Sequence, residues 1–293
     1  MLEKNLLEEF ENKPSKLKSG NRVFNNRYVF KEKIGEGGLC EVYDVLETYS
    51  EYFNESRNLV VKIPSKEMLK KKDIAAFIYS EYSILNKIYH ENVVKITDFG
   101  IDEVSQVPYL VMNKLEGRLL VNMPLLDIDK KMSKQLAYSL YKAIDYIHSM
   151  QIVHADINPT NIMVRENGEA SVFDFGISQN IANQASFNLS YSKIKAFNPI
   201  YAAPEVLEGS TPNVSSDMFS LACVMYEVYT RRLPFVESSK ELKERPLKRN
   251  DLTQIPFFQK AWFRKSLSHD ANKRPLKIPF CIHIKIIFNI FIK

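Results

Sequence analysis

Within the 293-residue sequence, the stretch from Ile152 to Gly176, IVHADINPTNIMVRENGEASVFDFG, restricts the fold more than any other. Two acidic residues, Asp156 and Asp174, and one amide, Asn161, stand beside short β-like apolar runs: Ile162, Met163 and Val164, then Ser171, Val172 and Phe173. Between the runs, Glu166-Asn167-Gly168-Glu169 predicts a tight hairpin turn, because Asn-Gly tolerates the positive φ angles such a turn needs. Closing the hairpin brings Asp174 back beside Asn161. A carboxylate and an amide oxygen held together suit a hard divalent cation such as Mg2+, which takes oxygen ligands and keeps part of its water. Asp156, upstream of the turn, is left to act on protons.

Earlier in the chain, Tyr28 to Ile34 alternates like a strand and runs into Gly35-Glu36-Gly37-Gly38-Leu39-Cys40, after which Glu41 to Val45 reads as a second strand. A glycine-rich turn between two strands lets backbone N–H groups approach phosphate oxygens without interference from a Cβ. Helix-opening nucleotide loops place a helix after the glycines, so this order points away from Rossmann and P-loop folds. Leu59-Val60-Val61-Lys62-Ile63 reads as a buried strand carrying one lysine, and a buried ammonium needs a partner. The next helix, expected from about Lys66 to Tyr89, supplies it: Ile74, Ile78, Leu85 and Ile88 form an inward stripe, and Glu81 falls on the same stripe.

His154-Ala155-Asp156-Ile157-Asn158-Pro159-Thr160-Asn161 resembles the catalytic loop of protein kinases, and Asp174-Phe175-Gly176 resembles their metal-binding DFG motif. Asn161 and Asp174 lie 13 positions apart across the predicted hairpin, and the two motifs in this order make a specific signal. The resemblance is to the eukaryotic-type (Hanks-type) Ser/Thr protein kinase family and covers about Asn26 to Pro275. It implies an α+β, bilobal fold with a small antiparallel β-rich N-lobe and a larger α-helical C-lobe. The expected boundaries are an N-terminal extension at 1–24, a kinase-like domain at 25–275 (N-lobe 25–113, C-lobe 116–275) and an apolar tail at 276–293.

The resemblance also implies roles. Asp156 accepts the substrate proton, Lys62 steadied by Glu81 holds the phosphates of ATP, and Asn161 and Asp174 hold Mg2+. Gly35, Gly37 and Gly38 cover the nucleotide. Ile34, Val42, Val60 and Met163 sandwich the base, Met112 is the gatekeeper, and the backbone from Asn113 to Leu115 faces adenine. His154 is a packed scaffold residue. Ala203-Pro204-Glu205 closes an activation segment, Arg274 is the partner of Glu205, and Asp217 anchors the backbone of the catalytic loop, with Ser215-Ser216-Asp217 read as the cap of a helix over Met218 to Thr230. A further helix, Met132 to Ser149, delivers the chain to His154 with Leu136, Leu140, Ile144 and Ile147 on one side.

Departures from the family pattern carry information. Cys40 takes the third glycine position, with Gly38 beside it to supply flexibility. Phe219 and Ala222 stand where the family has Trp and Gly. Ala155 replaces an arginine whose charge an activation-segment phosphate offsets, so activity independent of phosphorylation at Ser186, Ser190, Tyr191 or Ser192 is expected. Asn158 replaces a catalytic-loop lysine and Asn198 the threonine that bonds to it. An amide at 158 donates a hydrogen bond but cannot neutralise charge on the transferring group, where such donors are worth about 3–4 kcal/mol. Pro159 resembles the Ser/Thr pattern more than the tyrosine-specific one. Three functions fit: a Ser/Thr protein kinase, a pseudokinase acting as a nucleotide-binding interaction module, and a small-molecule kinase of the aminoglycoside or choline type. The last is harder to reconcile with Ala203-Pro204-Glu205 and Arg274.

Composition narrows the partners. Forty basic against 35 acidic side chains give a net charge of +5, with the lysines spread out and no aromatic-interleaved basic stripe, so nucleic acid is not expected; a protein substrate is what the resemblance implies. Cys40, Cys223 and Cys281 lie too far apart for a disulfide framework or zinc site, which suits a reducing cytoplasm. The acidic N-terminus does not read as a signal peptide, and no stretch reaches the roughly twenty apolar residues of a spanning helix. In Leu276 to Lys293, Pro279 is expected to interrupt any helix, and Ile282, Ile284 and Ile286 alternate like a strand. Loose packing on the large lobe, or a peripheral membrane or partner contact, are the readings of this tail.

Overall fold

The computed structural model describes residues 22–37, 39–55, 57–180, 197–235 and 249–291. Gly38, most of the N-terminal extension and Ser186, Ser190, Tyr191 and Ser192 lie outside the described residues. Six strands form one antiparallel sheet: β1 (Val23–Phe24), β2 (Tyr28–Glu36), β3 (Cys40–Glu47), β4 (Leu59–Pro64), β5 (Ile96–Ile101) and β6 (Pro108–Asn113), in the order β1-β2-β3-β4-β6-β5. A short helix, α1 (Thr48–Tyr52), follows β3.

Alternation along the strands divides the sheet into two faces. Leu59, Val61 and Ile63 of β4 join Tyr109 and Val111 of β6, with Phe24, Tyr28 and Phe30, in an outer cluster. Val60, Leu110 and Met112 point the other way, into the main core shared with helix α2 (Ile74–Leu85). Lys62 is two residues from Val60, so the same period aims it at α2. The expected helix from Lys66 is shorter than its pattern suggested: a 3-10 turn at Met68–Lys70 precedes it, and the α-helix runs only from Ile74 to Leu85. Its inward stripe is as expected, with Ile74, Ile78, Glu81, Leu85 and the following Ile88 all buried.

The second layer is helical. Helix α3 (Lys130–Ser149) is capped by Asp129, whose side chain accepts from the Met132 N–H at 2.7 Å, and Leu136, Leu140, Ile144 and Ile147 are fully buried. After the short strands β7 (Arg118–Leu119) and β8 (Ile152–Val153), β9 (Ile162–Val164) and β10 (Ala170–Val172) form the expected hairpin, with Val164 opposite Ala170 and Gly168 at φ +86° in the turn. Strand β11 (Gln179–Asn180) pairs with β8. The one-turn helix α4 (Pro204–Leu207) precedes α5 (Val214–Thr230) and α6 (Lys260–Ser266). The cap of α5 is Asn213, in a reciprocal box with Ser216, rather than the Ser215-Ser216-Asp217 run; Asp217 is already inside the helix and is aimed elsewhere.

The tail corrects the strand reading. Phe280–Phe291 is a helix, α7, and Pro279 stands just ahead of it, where a missing N–H costs nothing. The Pro279 carbonyl accepts from the Ile282 N–H at 2.8 Å. Ile282 and Ile286, four apart, are buried with Ile278, whereas Phe280 and Phe288 are exposed. His283 meets Asp145 of α3 at 2.7 Å. The alternation of isoleucines was misleading because a helix uses every fourth of them and leaves Ile284 on the outer side. Ile282→Ala or Ile286→Ala is therefore expected to cost about 2–4 kcal/mol in denaturant unfolding, while Phe280→Ala or Phe288→Ala changes stability by less than about 0.5 kcal/mol; equal effects of all four would contradict the helix.

Candidate active site

Five of the residues predicted from the sequence, Lys62, Glu81, Asp174, Asn161 and Asp156, gather at a cleft where the sheet meets the helical layer. Lys62 is almost fully buried, and its ammonium donates to both carboxylate oxygens of Glu81 at 2.8 and 2.7 Å and to Oδ1 of Asp174 at 2.7 Å. Burial alone would push the Lys62 pKa down, but Asp174 and Glu81 outweigh it and hold the value well above the ordinary one, so the lysine is a fixed cation. Burial would likewise raise Asp174; the Lys62 charge prevails and keeps it below the usual aspartate range. The Phe175 N–H donates to Glu81 at 3.2 Å, tying the 174–176 turn to α2 as well.

One ammonium shared by two carboxylates leaves a formal charge of −1, which suits a further cation. Asp174 is 44% exposed toward the cleft, and its Oδ2 has no hydrogen-bond partner among the described residues. The β9–β10 hairpin brings Asn161 alongside: the Phe173 N–H donates to the Asn161 carbonyl at 3.1 Å. The donors are all oxygen, which fits magnesium rather than a soft metal.

The loop before the hairpin is held from beneath. Asp217 accepts the backbone N–H groups of His154 and Ala155 at 2.8 and 2.9 Å, and His148 Nε2 lies 2.9 Å from the same carboxylate. His154 is fully buried with its ring 4.6 Å from Phe175, its Nδ1 accepting from the Asp156 N–H and its Nε2 3.2 Å from the Phe173 carbonyl, which assigns the proton to Nε2. It is a scaffold residue, as expected. Ala155 and Asp174 both take left-handed conformations, at φ 70° and 65°, which L-residues adopt at a cost of about 1–2 kcal/mol.

Asp156 has each carboxylate oxygen occupied: Oδ1 accepts the Asn198 N–H at 3.0 Å and Oδ2 the Asn161 amide at 2.8 Å. Burial raises its pKa, opposed first by the Asn198 N–H. Asn158, expected to face the transferring group, is 1% exposed and turned inward: its oxygen caps the turn at Pro159–Asn161 by accepting from Thr160 N at 2.8 Å and Thr160 Oγ1 at 2.5 Å, and its amide donates to the Asp156 carbonyl at 3.2 Å. Its oxygen is fully engaged by Thr160 and one amide hydrogen by Asp156, so the side chain is turned toward the loop itself. Asn198 meets Asp156 through its main-chain N–H and not through its side chain. The Asn-Pro pair at 198–199, a turn signal, was the clue that sequence reading passed over.

On the sheet side, β2 and β3 shift register between Lys33 and Gly35, and the Gly37 N–H closes the loop on the Cys40 carbonyl at 2.9 Å. Cys40 is buried and its thiol is pushed up to about 12, so it is inert. Val60 and Met112 are buried, Val42, Leu115 and Met163 half-buried, and Ile34 exposed. Of the three connector N–H groups, those of Asn113 and Lys114 are spent on the Lys95 and Asn58 carbonyls, at 2.9 and 2.8 Å. Leu115 is thus the one of the three whose N–H has no bond among the described residues. Further out, Arg274 clasps Glu205 with two bonds of 2.7 and 2.8 Å and lies over the Phe219 ring at 4.7 Å.

Comparison with known sequences gives a consistent result. A family model described as protein kinase domain matches residues 28–274. A Bifidobacterium longum protein named "Probable serine/threonine-protein kinase PknB" is 31% identical over 222 residues, covering 73% of this chain and 31% of that protein. The serine/threonine-protein kinase RUNKEL of Arabidopsis thaliana is 34% identical over 217 residues, covering 72% and 14%. The carbon catabolite-derepressing protein kinase of Candida glabrata is 31% identical over 237 residues, covering 78% and 35%. The chain spans about a third or less of the length of these relatives.

Removing one member of the buried cluster leaves a charge undercompensated. Glu81→Ala is expected to lower unfolding stability by about 3 kcal/mol, measured by denaturant titration; an unchanged midpoint would mean that Lys62 is not held by Glu81.

Proposed function

The chain belongs to the protein kinase domain family, and from that premise we propose that it transfers the γ-phosphoryl group of ATP to Ser or Thr hydroxyls of a protein substrate. The observation that carries the reading is the meeting of Lys62, Glu81 and Asp174 on one side of a cleft with Asp156 and Asn161 on the other. Phosphoryl transfer is mostly positioning and charge stabilisation. Asp156 accepts the hydroxyl proton; Lys62, steadied by Glu81, holds the phosphates. Asn161 and Asp174 hold Mg2+, which neutralises charge on the phosphates when bound. Ile34, Val42, Val60 and Met163 enclose the adenine, with Met112 behind it and the Leu115 N–H as donor; Gly35, Gly37 and Gly38 cover the phosphates. The kinase-like domain occupies 25–275, and α7 packs on α3 as an addition to it.

The Arg274–Glu205 pair and the anchoring of the catalytic loop by Asp217 support the protein kinase reading over a small-molecule kinase. One observation favours a second reading, a nucleotide-binding module with little transfer activity: the buried Asn158 brings no positive charge to the phosphoryl group. Incubation with labelled ATP, Mg2+ and a generic protein acceptor separates the two. Label on protein, lost in Asp156→Ala, is the expected result; nucleotide binding without transfer would favour the module, and label only on an aminoglycoside or choline would favour the small-molecule enzyme.

Ala155 puts a methyl group where a buried arginine would need a counter-charge, so the enzyme works without phosphorylation of its activation segment. Replacing Ser186, Ser190, Tyr191 and Ser192 together with Ala, Ala, Phe and Ala is expected to leave kcat within about twofold; loss of turnover would refute this. A cytoplasmic location is part of the proposal, and no helix among the described residues is long and apolar enough to cross a membrane.

A further inference from the structure

The lysine and threonine that the family places around the catalytic acid are both amides here, and neither amide does the expected work. The Asn198 side chain accepts the Ile200 N–H at 3.1 Å across Pro199, and its carbonyl accepts the Tyr201 N–H at 3.2 Å. These two bonds make residues 198–201 a closed turn, with Pro199 fixing φ at its second position. The far end of the turn is pinned to α5, where the Tyr201 hydroxyl donates to Glu227 at 2.7 Å. What the turn presents to the cleft is one main-chain N–H, 3.0 Å from Asp156 Oδ1. From the other side, the Asn158 amide donates to the Asp156 carbonyl at 3.2 Å, while its oxygen is consumed by Thr160.

We propose that Asn158 and Asn198 are positioning residues forming an uncharged clamp on Asp156, Asn158 gripping its main chain and the Asn198 turn aiming an N–H at its carboxylate. The inference rests on the phosphoryl-transfer reading for its consequence and on geometry for its existence. Asn158 is not a lysine deprived of its charge: it is the cap of a buried turn, and a lysine at 158 would bury an ammonium where Thr160 needs an acceptor. The substrate-facing segment and the catalytic acid are thereby joined by a main-chain bond that needs the turn but no side-chain hydroxyl.

The test combines kinetics with a readout that does not need activity. Asn198→Ala keeps the N–H but loses the bond that shapes the turn, so kcat should fall about ten- to a hundredfold, with the stoichiometry and affinity of ATP binding unchanged by calorimetry. Asn198→Ser, whose hydroxyl can accept the Ile200 N–H, should recover most of the loss. Asn158→Lys should lower kcat; a higher kcat would mean the site lacks only a charge and would overturn the clamp, as would wild-type kcat in Asn198→Ala. Amide hydrogen exchange by NMR supplies the independent arm. The Asn198 N–H should be protected in the wild type and lose protection in Asp156→Ala while core amides of α5 keep theirs. An unprotected Asn198 amide in the wild type overturns the clamp whether or not the chain phosphorylates anything, whereas a protected amide in a chain without transfer activity refutes only the kinase reading.

Discussion

The structure depends on a single ammonium shared by two carboxylates. Lys62 is placed by strand alternation in β4, Glu81 by the helical stripe of α2, and Asp174 by the hairpin that ends at the 174–176 turn, so three segments distant in sequence meet only if all are correctly folded. Such a cluster is a poor source of stability, because taking three charges out of water costs what their attraction returns. Apolar residues would fill the space at less risk. Ions in place of apolar residues, with Asp174 partly exposed, are what the proposed nucleotide and metal would require.

The loop opposite is held in a conformation that the local sequence would not choose. Asp217, buried inside α5, supplies both acceptors for the His154 and Ala155 amides, and Ala155 sits in the left-handed region as a consequence. Asp174 is left-handed too, so Asp156 adjoins a strained position and Asp174 occupies one, whereas Glu81 sits in regular helix. The surrounding bonds over-determine these conformations. The fold thus spends part of its packing energy on aiming carboxylates, which is what transfer chemistry needs when positioning supplies most of the rate.

Much of this was legible because the signals were periodic or paired. Alternation located β2, the glycine-rich turn placed β3 after it, a buried apolar run with one lysine marked β4, and a Glu on the apolar stripe of α2 announced the partner of that lysine. Arg274 and Glu205, 69 positions apart, each made sense only with the other. What escaped was decided by main-chain geometry or by tertiary packing. The isoleucines of the tail fit a strand or a helix equally, and contact with α3 chose the helix. Asn158 and Asn198 were read by what their side chains could donate, whereas the structure uses one as a cap and the other as a backbone donor. A side-chain inventory does not reveal which N–H a turn will present.

In the proposed function, Asp174 and Asn161 present oxygens to a divalent cation beside phosphates held by Lys62. Calorimetric titration of ATP with and without Mg2+, on the wild type and on Asp174→Asn, tests it without relying on turnover. The account predicts that Mg2+ tightens ATP binding at least about tenfold in the wild type and that Asp174→Asn abolishes this gain while still binding the nucleotide. ATP affinity indifferent to Mg2+ in the wild type, or a gain left intact in Asp174→Asn, would contradict it.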